Sequence, residues 1–348
     1  MRKGIQKMLN YENKIEQYLL TNEPFLQEFI SQTLHDYPNK KREWTRVLFQ
    51  EAIQNPEKKS ILMYLKVDPE DEELAQMIID GLDRVHDSIH HLFVQLLLDF
   101  TPEIILKNQK LLTGFINDQD WNIYQVLGDG SKEEVWREYM NILTRLESED
   151  SFDMNAYLLA KKIAYKLVNK KYISKDQLMM MFEANKKEEW FQFDGYIAVY
   201  MMGLMGMKES ITQLASLLTR DDDLLLEEIS EALITFQSDE VVDAVKVYLK
   251  DEEANIFAAS IIENIKSEHA INELRKAYHQ VEEDLQGNIF EAMVHQLSRT
   301  AEPEIRDYLN KTQESPLIDI DLLAYSYFKI LGMEHPKLEI WKEALYKR

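Results

Sequence analysis

The chain has 348 residues, of which 45% are hydrophobic and 29% charged, and its formal net charge is −22. That composition fits an ordered protein with a large core. With no cysteine, disulfides, thiolate zinc sites and cysteine nucleophiles are excluded; the acidity argues against nucleic acid and anionic membranes as partners, because Lys and Arg supply most of the affinity for both.

The charge is unevenly distributed. Residues 1–60 hold 10 Lys/Arg and 8 Asp/Glu, whereas residues 208–310 hold 9 and 23. Such a field steers in a basic protein partner. Only 10 Gly and 8 Pro interrupt the chain, so helices are expected to dominate. The N-terminus, MRKGIQKMLNYENKIEQYLL, has basic residues but neither the apolar run nor the small-residue cleavage site of a secretion signal. A cytoplasmic location is expected.

In chain order, apolar periodicity predicts helices near 11–20, 23–35, 40–54, 57–66, 70–84, 86–99 and 102–112. Across the end of the fifth and the start of the sixth, DRVHDSIHH (83–91) places His86 and His90 one turn apart, with Asp83 beside them. This is the spacing at which two imidazoles and a carboxylate meet one metal, and it is the alternative centre for a metal-dependent hydrolase. Histidines on the boundary of an amphipathic helix explain the same pattern. TGFINDQDWNIYQVLGDG (113–130), with three glycines and several Asp/Asn, reads as a longer connection.

Further helices are expected near 131–148, 153–170, 174–185 and 190–205. WFQFDGYIAVYMMGLMGM (190–207) is the most apolar window, but Gln192 and Asp194 interrupt it and its apolar run is too short for a bilayer. A buried helix is the expectation. Its methionines, with Met179–Met181, read as core or as an adaptable hydrophobic groove.

From 208 onward the pattern becomes regular. KESITQLASLLT, VVDAVKVYL, AINELRKAYHQ and AEPEIRDYLNKT alternate with LLLEEISEALITF, ANIFAASIIENI, GNIFEAMVHQLSR and IDLLAYSYFKIL. First helices begin near 208, 238, 267 and 301, and second helices near 224, 254, 287 and 320. Two helices per period of about 30–35 residues predict an α-solenoid, an all-α superhelix of stacked antiparallel helix pairs. Asn-Ile-Phe-x-Ala occurs at Asn255 and again at Asn288, 33 residues on, which marks these as equivalent second helices. The acidic runs at Asp221–Asp223 and Asp251–Glu253 precede second helices and read as N-caps.

In unit length, acidic inter-helix turns and Ala/Leu/Ile packing positions, residues 205–312 resemble HEAT repeats of the short bacterial, phycobilisome-lyase-like kind. A proline in the first helix, frequent in such repeats, occurs only in the fourth unit, as Pro303. The resemblance implies a binding fold and no particular activity. The expected organisation is an irregular helical region over 1–205 continuous with the solenoid, repeats over 206–332, and a capping helix or tail over 333–348.

Polar positions of the second helices are the candidate partner-binding residues: Glu227, Glu228, Glu231, Asn255, Ser260, Glu263, Asn288, Glu291 and His295. Acids and amides on a concave face suit a basic protein segment. The expected function is a non-enzymatic interaction scaffold; a sharper variant is an inhibitor or immunity-type protein masking a basic nucleic-acid-binding partner. No cofactor is called for: the chain has no P-loop, GxGxxG, HExxH or GxSxG.

Overall fold

The computed structural model describes residues 11–82, 87–148, 151–311 and 318–347, with only the backbone at 87 and 88. These residues are all-helical, with no strand among them. By contacts they divide into two compact units.

In chain order the helices are α1 (described over 11–18), α2 (Pro24–Leu34), α3 (Arg42–Gln54), α4 (Glu72–Leu82), α5 (Asp87–Leu98), α6 (Pro102–Lys107) and α7 (Gln109–Leu112). Next come α8 (Asp118–Asp129), α9 (Lys132–Ser148), α10 (Met154–Asn169), α11 (Lys175–Asn185) and α12 (Phe193–Leu204). The C-terminal series is α13 (Ile211–Ala215), α14 (Asp223–Phe236), α15 (Asp239–Val245), α16 (Asn255–Glu263), α17 (Glu268–Tyr278), α18 (Gln286–His295), α19 (Glu302–Lys311), α20 (Ile320–Ile330) and α21 (Leu338–Tyr346). The segment Pro56–Tyr64, expected as an α-helix, is a 3-10 helix opened by its proline.

The first unit comprises residues 1–66, 211–219 and 237–348. Here α16 packs on α18 and α18 on α20, while α15 packs on α17. The Asn288 amide donates to the Asn255 side chain at 2.8 Å, and His295 meets Glu263 at 2.7 Å. Contacts 33 and 32 residues apart at successive points show that α16 and α18 run in the same direction and in register. The N-terminal helices belong to the same unit. Leu26, Phe29 and Ile30 of α2 are fully buried, α2 packs on α20, and the Phe29 ring lies 5.2 Å from that of His295.

The second unit comprises 67–210 and 220–236. Its centre is α12, buried as expected through Ile197, Ala198, Val199, Met201 and Met202, with α9, α10, α11 and α14 around it. Met201 and Met202 are core, while Met180 is exposed. At Gly203 a Cβ would lie 3.0 Å from the Ala232 backbone, so glycine allows α12 to approach α14 closely. No described helix is long and apolar enough to cross a membrane.

One expected connection is a helix. Within 113–130, α8 is capped by Asn117, which accepts from the Asp120 N–H at 2.8 Å, and it buries Trp121, Ile123, Tyr124 and Leu127. Gly128 does not break it. A Cβ there would meet Leu106 at 2.9 Å, so this glycine serves the packing of α8 on α6.

Several helices end on a left-handed residue: Lys171 after α10, Gly206 after α12, Gln237 after α14, Leu297 after α18 and Gly332 after α20. At 172, 207 and 333 the following N–H returns to a carbonyl five residues back, closing a Schellman-type end. Glycine adopts this geometry without strain; a side chain there costs about 1 kcal/mol. Accordingly, Lys171→Gly, at an exposed position, is expected to raise stability by about 0.5–1 kcal/mol. Gly332→Ala is expected to lower it by about as much. Urea midpoints of the two variants check the signs.

Candidate functional site: the polar face of the second helices

In the second unit, the expected binding residues Glu227, Glu228 and Glu231 lie on α14. Glu227 is exposed and Glu231 half-buried, but Glu228 is only 3% exposed. Lys161 of α10 donates to Glu228 at 2.7 Å and to Glu231 at 2.9 Å, and the Tyr157 hydroxyl donates to Glu228 at 2.9 Å. The ammonium also lies 4.4 Å from the centre of the Tyr200 ring. Burial pushes the Glu228 carboxyl up. Burial also opposes the Lys161 charge, yet the two carboxylates hold that ammonium above its ordinary value. Glu228 therefore anchors α14 to α10 rather than meeting solvent.

In the first unit, Asn255 is fully buried and donates to the Leu249 carbonyl at 2.5 Å. Asn288, half-buried, bonds Asn255, and Ser260 is half-buried. Glu263, Glu291 and His295 converge on one polar cluster with Lys266, Tyr11 and Tyr37, in which His295 and the tyrosines are buried and the other three half-buried. His295 Nδ1 lies 2.7 Å from Glu263, and Lys266 donates to the His295 carbonyl at 3.1 Å. The Lys266 ammonium stands 4.8 Å from the Tyr11 ring centre and 5.8 Å from that of Tyr37. The Tyr11 hydroxyl and Nε2 of His295 meet no hydrogen-bond partner among the described residues.

The electrostatics follow from burial set against pairing. Burial would lower His295, but the Glu263 carboxylate reverses this and holds the imidazole above 6.5. Glu263 in turn is kept below its ordinary value by His295, despite its burial. Burial pulls the Lys266 ammonium down to about 8, partly offset by Glu263, and raises Glu291.

Of the expected solvent-facing row, Glu228, Asn255 and His295 are buried, Glu231, Ser260, Glu263, Asn288 and Glu291 are half-buried, and Glu227 is exposed. The N-terminal helices supply Tyr11, Phe29 and Tyr37 to the surface that the helix-pair pattern left open. Lys161, Lys266 and the two tyrosines were missed. Their signal was present in part: the repeat that pairs Asn255 with Asn288 at a step of 33 brings Glu263 close to His295 at a step of 32.

Two open cavities lie within the units. One, of about 700 Å³ in the second unit, is lined by Glu70, Glu103, Lys162, Tyr165 and Lys166 among others. The other, of about 500 Å³ in the first unit, adjoins the polar cluster through Tyr11, Lys266 and Gln296. Of the candidate metal ligands, Asp83 and His86 lie outside the described residues, and the half-buried His90 ring rests 5.5 Å from Phe115. Among the described residues, no group of three His, Asp or Glu is placed to hold a metal. Of the two acidic runs, the first caps a helix, with Asp222 accepting from Leu225 N–H at 3.1 Å at the start of α14; in the second, Asp251 accepts from Glu253 N–H at 3.1 Å and Ala254 N–H at 3.0 Å and closes the turn before α16, whose own N-cap, Ala254, has no side-chain bond.

No protein-family model, no curated protein and no solved structure matches the chain.

A raised histidine pKa adds stability below its ordinary value of 6.5, and that increment is lost as pH rises through the folded value. Glu263 and Glu291 face the imidazole with negative charge and Lys266 with positive. Glu263→Gln removes the main cause. The variant is expected to bring the His295 titration, followed by NMR, down to 6.5 or below, and to flatten the loss of thermal stability above that pH. An unchanged titration would show that Glu263 does not set it.

Proposed function

We propose that the protein is a non-enzymatic scaffold of HEAT-like helix pairs, stacked as an α-α superhelix, whose acidic edge takes a basic segment of a partner protein. The supporting observation is the register of α16 and α18. Because Asn255 and Asn288 bond to each other at the starts of these helices, the turns that precede them lie side by side. Those turns expose Glu252 and Glu253 from one pair and Glu282, Glu283 and Asp284 from the next.

Three cations of this unit lie at the other end of α16 and α18, where Lys266 donates to the His295 carbonyl, Lys14 to that of Leu297 and Arg299 to that of Leu331; at the edge itself Lys250, beside Asp251, is exposed. A short helical or extended basic segment laid along the edge would meet successive carboxylates, with rate and affinity both falling as salt rises. The edge replaces the second-helix face as the proposed surface, since that face is covered within the first unit.

The test is fluorescence anisotropy of a labelled oligolysine peptide with the full chain. Glu253→Lys/Glu283→Lys is expected to weaken binding at least about tenfold, or about 1.4 kcal/mol. Glu133→Lys/Glu189→Lys makes the same charge change at exposed sites in the second unit and is expected to weaken it far less. Equal losses in the two variants would reduce the effect to net charge and sink the edge as a site.

A further inference from the structure

We infer that the cavity beside the polar cluster of the first unit binds a phosphate-bearing small molecule, gripped by Lys266 and Arg299 with Lys14 adding charge. The cavity measures about 500 Å³, within the range of small-ligand sites. Among the described residues that line it, Glu268 is the one carboxylate against three cations, with Glu263 facing Lys266 from the polar cluster behind. In a chain with 62 acidic and 40 basic residues, this is a local reversal of sign.

The cations are already oriented. Lys266 donates to the His295 carbonyl and Arg299 to that of Leu331, which fixes each head group at the cavity wall. One carbonyl uses one donor, whereas an ammonium has three and a guanidinium five. Both side chains line the cavity, and an arginine fork with a lysine point charge suits phosphate oxygens. Three cations match a phosphate dianion better than a monoanionic carboxylate. Tyr11, 4% exposed and with its hydroxyl unpartnered, forms another part of the wall.

The surrounding field selects size. A polyanion such as nucleic acid would lie against the carboxylates of residues 208–310 and be repelled. A molecule small enough to enter the cavity escapes most of that repulsion. Burial holds the Lys266 ammonium at about 8, and a bound anion would raise it, so binding takes up protons near that pH.

Calorimetry of the full chain with inorganic phosphate and with glycerol 3-phosphate tests this, against sodium chloride at matched ionic strength. The expected result is one site with a Kd of about 1 mM or tighter. Arg299→Gln should weaken it at least about tenfold, and Arg299→Lys should restore part of the loss. Because Arg299 also caps the Leu331 carbonyl, each variant's melting temperature is measured alongside. Lys162→Gln, in the other cavity, should leave the affinity unchanged. The inference is overturned by no phosphate heat at about 10 mM, by equal binding of chloride, by unaltered affinity in folded Arg299→Gln, or by loss in Lys162→Gln.

Discussion

The C-terminal carbonyls of the helices are the constraint on which much of this structure depends. Every helix end leaves carbonyls without an internal partner, and a protein built from many short helices has many such ends to satisfy inside its core. Here they are met by side chains from neighbouring helices. Gln296, just past α18, donates to the carbonyls of Ile262, Glu263 and Ile265 at the end of α16. Gln237, just past α14, reaches the Asn264 carbonyl of the same end. Lys266, just past α16, reaches back to the end of α18. The end of one second helix therefore satisfies the end of the next, which ties stacking to register.

The second unit solves the same problem with cations. Lys162 donates to the Phe100 carbonyl after α5, Lys166 to Gly128 within the last turn of α8, and Arg220 to Lys186, Glu188 and Glu189 after α11. Positive charge is favourable at these ends because the helix dipole is negative there. The consequence for function is a separation of sign. Basic side chains are drawn to internal carbonyls, while carboxylates occupy turns and helix starts, where the dipole favours them.

The polar cluster around His295 shows how the same architecture tolerates ionisable groups in its interior. A buried imidazole, two carboxylates and an ammonium cost little only when each charge faces its opposite. Glu263 supplies that for His295, and the tyrosine faces supply it in part for Lys266. The arrangement needs α1 and α2, because Tyr11, Phe29 and Tyr37 come from or follow them. Without those N-terminal residues, α16 and α18 would present this polar row to water.

The all-helical class, the alternation of short helices after residue 208, the equivalence of Asn255 and Asn288 and the capping role of Asp222 were legible from the sequence, because each rests on local periodicity or on a side chain bonding its own neighbours. The pairing of the first two helices of that series was not: α13 packs on α15 and α14 on α12. Helix α8 was hidden because glycine and aspartate in 113–130 look like turn residues until Gly128 is seen packed against Leu106. Of the candidate binding row, Glu228, Asn255 and His295 are buried and the others are not. Helical pattern tells which residues share a face, but it does not tell what lies on that face. Only the tertiary structure decided that the chain covers this row itself, through residues more than 250 positions away from His295, as with Phe29. The physical reason is that helix formation depends on neighbours in sequence, whereas burial depends on contacts that no local pattern records.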